Sequence, residues 1–206
     1  MTWVVFDYGE VLCTRTVALP KLAARLGVAS EDFEPAYWAH RDAYDRGCSD
    51  EAYWSAVAGS AGARLDTDAV GDLTRLDIEG WSRIDAGSMR LLGELAGSGA
   101  RLALLSNAPT SFARFAERQP WARHFRDRVF SADVGCAKPD RQIFDLLTSR
   151  LGAEAGRCVF FDDRAANVDG ARAAGLAAHL WQGAEHARQV LTSNGVRVST
   201  ASACRS

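Results

Sequence analysis

Three short apolar runs in this chain each end abruptly in polar side chains. Trp3–Phe6 ends at Asp7, the run 102–105 ends at Ser106-Asn107, and the run 158–161 ends at Asp162-Asp163. A lysine, Lys138, stands before Pro139 in a segment that reads as a loop opening a helix. Carboxylate oxygens suit hard cations, and magnesium takes few protein carboxylates and leaves room for phosphate. A hydroxyl, an amide and an ammonium can bind phosphate oxygens and neutralise developing charge. A carboxylate can attack phosphorus and form an aspartyl-phosphate. Asp162 and Asp163 are adjacent and repel each other, an arrangement hard to justify without a cation. The inventory reads as metal-assisted phosphoryl transfer with Mg2+ as the expected cofactor.

These side chains need a frame that brings them together. Continuous runs of Val, Leu and Phe suit strands buried on both faces, and 176–181 and 128–131 also read as strands. Helical spacings lie between the runs. Met89, Leu92, Leu95 and Ala96 mark one helix, ended by Gly97-Ser98-Gly99, and Phe112, Phe115 and Ala116 mark the next. Ile143, Leu146, Leu147 and Leu151 mark a third, stopped by Gly152, and an alanine-rich stretch from 165 to 174 stops at Gly175. Strands alternating with helices predict an α/β fold, a Rossmann-like parallel sheet with helices on both faces. In such a sheet chemistry collects beyond the carboxyl ends of the strands, where Asp7, Ser106 and Asp162 fall.

Residues 14–84 break the rhythm, with helical patterns but no convincing strand. Ser49-Asp50-Glu51 reads as a helix start followed by Tyr53, Trp54 and Val57. Phe33, Tyr37, His40, Arg41 and Tyr44 fall on one helical face, and Leu73, Leu76 and Trp81 suggest a last helix. The division predicted is a core of 1–13 plus 85–206 and a helical cap of 14–84 inserted after the first strand. The aromatic residues Tyr37, Trp38, Tyr44, Tyr53 and Trp54 read as cap interior. The small, polar end from 199 to 206 reads as frayed.

Composition narrows the partners. The chain has 206 residues, with 24 Lys and Arg against 26 Asp and Glu, for a net charge of −2. That balance argues against a broad grip on nucleic acid or anionic membrane. No apolar stretch approaches the roughly 20 residues a membrane helix needs. The N-terminus lacks a basic lead and reaches a charge at Asp7, unlike a secretory signal. Cys13, Cys48, Cys136, Cys158 and Cys204 are odd in number and scattered, with no C-x-x-C. They read as reduced thiols in a cytoplasmic protein. The expected partner is a small phosphorylated molecule bound by a monomer or homodimer.

The motif order is Phe6-Asp7-Tyr8-Gly9-Glu10-Val11-Leu12, Leu105-Ser106-Asn107, Ala137-Lys138-Pro139-Asp140 and, from Phe161 to Ala171, F-D-D-R-A-A-N-V-D-G-A. It resembles the haloacid dehalogenase-like hydrolase superfamily over residues 1–13 and 85–181. The first motif, F-D-x-G-x-V, is similar to that of the bacterial glucose-1-phosphate phosphatase-like subgroup. The resemblance implies Asp7 as nucleophile and magnesium ligand, with the carbonyl of Gly9 as a further ligand. It implies Ser106 on the transferring phosphoryl group with Asn107 beside it, and Lys138 holding nucleophile and phosphate together. Asp163 would ligate magnesium directly, with Asp162 and Asn167 in or just behind the ligand set.

One position departs from the pattern. Most phosphatases of this superfamily carry an aspartate, the general acid and base, two residues after the nucleophile. Here Gly9 stands there. A missing acid or base costs on the order of 100- to 10,000-fold. Glu10 is adjacent, although neighbouring strand-end side chains point apart. A substrate hydroxyl, a water, or a cap residue such as His40 or Asp45 are alternatives, and His40 and Arg41 are candidates to reach the substrate. The expectation is a magnesium-dependent phosphatase of a small metabolite, with a sugar phosphate as one candidate. Two competing readings are a 2-haloacid dehalogenase using the same nucleophile, and a binding or regulatory protein without turnover. The first is opposed by the Asp162-Asp163 pair. The second is motivated by Gly9 and opposed by the joint presence of Asp7, Ser106, Lys138 and Asp163.

Overall fold

The computed structural model describes residues 2–199, so Cys204 and the expected fraying of the tail after 199 lie outside the described residues. Strands β1 (Trp3–Phe6), β2 (Arg101–Ser106), β3 (Asp127–Phe130), β4 (Cys158–Asp162) and β5 (Ala177–Leu180) form one parallel sheet in the order β3-β2-β1-β4-β5. Every residue of β1 and β4 is buried, as their unbroken apolar sequences require of a sheet covered on both faces. The pairing register sets Phe6 beside Leu104 on one side and beside Phe161 on the other. Asp7, Ser106 and Asp162 therefore leave the sheet at one edge, its carboxyl end.

Between β1 and β2 run helices α1 (Leu19–Leu26), α2 (Ser30–Ala39), α3 (Arg41–Asp45), α4 (Asp50–Ser60), α5 (Ala69–Gly80) and α6 (Ala86–Gly97). After β2 come α7 (Thr110–Glu117), α8 (Ser131–Val134), α9 (Arg141–Leu151), α10 (Ala165–Ala173) and α11 (Ala184–Ser193). Two apolar clusters fill the two faces of the sheet. One holds Phe6, Leu92, Leu104 and Phe161, and the other holds Val5, Leu105, Ile143, Phe144 and Phe160. A third cluster, around Leu22, Phe33, Tyr37, Tyr53, Trp54 and Leu73, belongs to α1–α5 alone. The chain leaves for these helices and returns side by side. Cys13 bridges Ile84 antiparallel, Thr14 N donates to Arg83 O, and Asp85 N donates to Leu12 O.

Local chemistry explains several boundaries. Ser49 caps α4 by accepting from Ala52 N, and Asp85 caps α6 by accepting from Ser88 N, each satisfying a free amide of the first turn. The single helical face predicted across 33–44 is interrupted. The backbone breaks at His40, between α2 and α3, which changes the helical phase. Phe33, Tyr37 and Tyr44 remain buried, while His40 turns to Ser60, with Nε2 and Oγ 2.9 Å apart. Tyr37, Tyr44, Tyr53 and Trp54 are interior, and Tyr44 stacks on Tyr53 with centroids 4.0 Å apart. Trp38 departs from that expectation, because it is 36% exposed. Cys13, Cys48, Cys136 and Cys158 are free thiols. Among the described residues no helix is long and apolar enough to cross a membrane.

Candidate active site

Lys138 lies at the centre of the carboxyl-end edge, and the sequence around it explains how an ammonium is held there. Its side chain is 1% exposed and its ammonium lies among three oxygen atoms. Nζ is 2.7 Å from Asp7 Oδ1 and 2.7 Å from Asp162 Oδ2, and it donates to Leu105 O at 2.9 Å. Burial opposes its charge, but Asp162 and Asp7 outweigh that and push its pKa up, so it remains an ammonium. Its loop is fastened from two sides. Asn107 clamps the backbone, with Nδ2 donating to Lys138 O at 2.8 Å and Oδ1 accepting from Lys138 N at 2.9 Å. On the other side α10 packs against the loop through Gly170, where a Cβ would come within 2.5 Å of Pro139 O. Only a residue without a side chain permits that approach.

Asp7 is buried, and its two oxygens differ. Oδ1 accepts from Lys138 Nζ and from Tyr8 N at 2.7 Å, while no protein donor among the described residues reaches Oδ2. Asp162 is fully buried and fully engaged. Oδ1 accepts from Arg164 N and from Asn167 Nδ2, both at 2.9 Å, and Oδ2 accepts from Lys138. Asp163 has no cationic partner among the described ion pairs. Burial, with Asp162 next, pushes its carboxyl up to about 6. Burial likewise pushes Asp7 above the usual carboxylate range against the pull of Lys138.

Oxygen atoms of Asp7, Asp162 and Asp163 all lie within 4.8 Å of one another. Three carboxylates face a single ammonium in a poorly solvated place, so the set carries uncompensated negative charge. An all-oxygen set of that kind fits a hard divalent cation such as magnesium. The engaged oxygens of Asp162 set it behind the other two, and Asn167 in turn steadies Asp162. Ser106 closes the group. It is buried at the end of β2, and its hydroxyl has no partner among the described hydrogen bonds.

These groups face a cleft of about 640 Å³ between the sheet edge and α2, α3 and the end of α5. Asp7, Gly9, Glu10, Arg41 and Ser106 line it, as do Asn107, Lys138, Asp163 and Asn167. Two predicted site residues do not. Asp162 is buried beneath the floor, and His40 is directed at Ser60 rather than into the cleft. Asn107 does line the cleft, but both ends of its amide hold the Lys138 loop, so its polar atoms position that loop. Glu10 is exposed at the rim in a left-handed conformation, φ 53°. A Cβ at Gly9 would meet only Trp81 Cζ3, at 3.9 Å.

Sequence reasoning missed a charged network in the roof. Arg41 bonds Asp45 Oδ1 at 2.9 Å, Asp77 Oδ2 at 3.1 Å and the Tyr37 hydroxyl at 2.6 Å, and Tyr37 also donates to Asp77 at 2.6 Å. Burial opposes the Arg41 charge, but its anionic neighbours outweigh it and hold the guanidinium firmly protonated. A signal for Asp77 was available. It sits four residues after Leu73 and three before Gly80, a carboxylate on the buried face of α5. Ser131 was also missed. Its hydroxyl accepts from Ala108 N and donates to Asp45 O, tying α3 to the strand-end loops. Arg46 makes a second tie, to Asp140 at 2.7 Å.

Comparison with known proteins agrees with this geometry. A family model described as haloacid dehalogenase-like hydrolase matches residues 1–175. Phosphatase MT3486 of Mycobacterium tuberculosis is 32% identical over 118 residues, 56% of this chain and 54% of that protein. Sesquiterpene phosphatase astK of Aspergillus oryzae is 30% identical over 98 residues, 47% of this chain and 50% of that protein. The chain thus matches about half the length of these curated relatives. Among solved structures, the HAD family enzyme BT-2542 of Bacteroides thetaiotaomicron, in complex with magnesium and inorganic phosphate, superposes with a TM-score of 0.68 at 17% identity. That match covers 87% of this chain and 93% of that one. The 2-haloacid dehalogenase of Pseudomonas syringae pv. Tomato DC3000 superposes with a TM-score of 0.67 at 19% identity, covering 94% and 99%. Both structural likenesses show a shared fold. With the family model covering most of the sequence, the chain belongs to the haloacid dehalogenase-like hydrolases.

Proposed function

We propose that this hydrolase is a magnesium-dependent phosphatase of small phosphate monoesters, working through an aspartyl-phosphate on Asp7, with residues 14–84 acting as a cap over the site. The observation that carries the reading is the asymmetry of Asp7. Lys138 and Tyr8 N hold Oδ1, while no donor among the described residues reaches Oδ2, and Asp7 lines the cleft. Held in this way, Asp7 offers one oriented oxygen for attack on phosphorus. Asp7 and Asp163, with the Gly9 carbonyl, would hold the ion, and Asp162 and Asn167 would steady them. Bound there, magnesium would offset the repulsion among the carboxylates and draw charge from the phosphoryl oxygens. The Ser106 hydroxyl donates to one phosphoryl oxygen. Lys138 keeps nucleophile and phosphoryl group together and neutralises charge as it develops.

In the first step the Asp7 Oδ2–P bond forms and the bond from phosphorus to the leaving oxygen breaks, that oxygen departing with the electron pair. Water then hydrolyses the acyl phosphate and restores the carboxylate. Gly9 provides no proton for the departing oxygen, so leaving groups stable as anions react best. The test is hydrolysis of an aryl phosphate. EDTA should abolish it, magnesium should restore it, and Asp7→Asn should remove it while retaining phosphate binding. Activity indifferent to EDTA would overturn the reading and favour dehalogenation, which needs no metal.

A further inference from the structure

The wall of the cleft beside Gly9 is aromatic and fixed. Because a Cβ at residue 9 would lie 3.9 Å from Trp81 Cζ3, the indole borders the space an acid side chain at that position would use. Trp81 is held at several points. Its Nε1 donates to the Tyr37 hydroxyl at 3.1 Å, its carbonyl accepts from the Tyr8 hydroxyl at 2.8 Å, and the Arg41 guanidinium lies 5.9 Å from its ring. Trp38 meets Trp81 nearly perpendicularly, with centroids 6.5 Å apart and planes at 82°. Trp38 lines the same cleft, with the Arg15 guanidinium over its ring, 5.8 Å from the centroid.

The inner polar groups of this corner are occupied with one another, since Arg41 is bound to Asp45 and Asp77, and Tyr37 to Asp77, which leaves Arg15 and Glu10 at the exposed rim. A polyol entering here would exchange water for two rim partners, Arg15 and Glu10, too few for its several hydroxyls, which is unfavourable. A flat conjugated group would lay one face on one indole and meet the other, set at 82° to it, with its edge. Gly9 points the same way independently, because a conjugated oxyanion can leave without a proton.

We propose that Trp38 and Trp81 form the leaving-group subsite, and that the cleft selects phosphate monoesters of flat conjugated alcohols, aryl or enolic, over those of polyols and sugars. This rests on the phosphatase reading above. The departing oxygen leaves as an aryl or enol oxide carrying its electron pair, its plane against one indole and its edge toward the other. Trp38 is a specificity residue, and truncating it acts through binding of the leaving group.

The experiment uses the full chain with magnesium and compares kcat/KM for 2-naphthyl phosphate, phenyl phosphate and glucose 1-phosphate. The two aryl esters have leaving groups of similar acidity and differ mainly in stacking area. Naphthyl phosphate should lead and glucose 1-phosphate should trail. Trp38→Ala should raise KM for naphthyl phosphate about tenfold and shrink the naphthyl-to-phenyl ratio, with Trp38→Phe between it and the native protein. Glucose 1-phosphate turned over as well as naphthyl phosphate, or a naphthyl KM that neither variant changes, would overturn the proposal and leave the phosphatase reading intact. Turnover of none of the three esters would overturn both.

Discussion

Replacing Gly9 by aspartate asks whether the missing side chain sets a leaving-group limit. The structure allows the change. Gly9 is not among the residues with positive φ, so aspartate meets no backbone strain, and its Cβ would make one ordinary van der Waals contact, with Trp81. The new carboxyl would line the cleft with Asp7, Asp163 and Glu10. Their negative charge raises its pKa, the direction a proton donor needs. General acid catalysis contributes about 100- to 10,000-fold where the leaving oxygen needs a proton. With Trp81 bordering one side of the new side chain, the lower end is taken, about 100-fold or about 2.7 kcal/mol of barrier. A nitrophenolate leaves unprotonated and gains little. The assay is the ratio of kcat/KM for glycerol 3-phosphate to that for 4-nitrophenyl phosphate, in native protein and Gly9→Asp, with melting temperature as the check on folding. The ratio should rise about 100-fold in the variant. An unchanged ratio in a folded variant would refute the reasoning. It would mean that another group already supplies the proton, with Asp45 in the roof or Glu10 at the rim as the first suspects.

Lys138→Met should cost about 3–5 kcal/mol in urea unfolding, because it leaves Asp7 and Asp162 buried without their counter-ion, and a loss below about 1 kcal/mol would contradict the burial of that pair. Gly170→Ala should lower both melting temperature and turnover, since its Cβ would press on Pro139 O and displace the Lys138 loop; a variant with native kinetics would show that α10 does not set that loop. Magnesium should raise the melting temperature more at pH 7.5 than at pH 5. The Asp163 carboxyl, pushed from 3.8 up to about 6, supports the metal-free fold most fully below about pH 4 and loses that contribution as pH rises through about 6, whereas the ion must displace the same proton and gains over that range. A magnesium increment independent of pH, or one retained in Asp163→Asn, would remove Asp163 from the ligand set.

The core was legible in the sequence because its signals are local. Unbroken Val, Leu and Phe runs that stop at Asp7, Ser106 and Asp162 specify buried parallel strands and the edge at which they end, and the five predicted strands stand where those runs lie. Since every strand of a parallel sheet points the same way, strand ends remote in sequence converge without further information. The separate roles within that edge were not legible. Nothing in Asp162-Asp163 says that the first is enclosed by Lys138, Arg164 N and Asn167 while the second faces the cleft. That distinction arises from the alternation of side chains as β4 ends and from where α10 begins. Asn107, expected beside the substrate, lines the cleft and also clamps a loop 31 residues away, which the sequence did not reveal. His40 and Arg41 are neighbours in sequence, yet a backbone break sends one to Ser60 and the other into a buried triad with Asp45 and Asp77. The Trp38 and Trp81 corner likewise joins residues from α2 and from the end of α5. Composition and periodicity determine which faces are buried, because burial follows apolar surface. Which polar atoms meet depends on how separate elements pack, and tertiary structure alone decided that here.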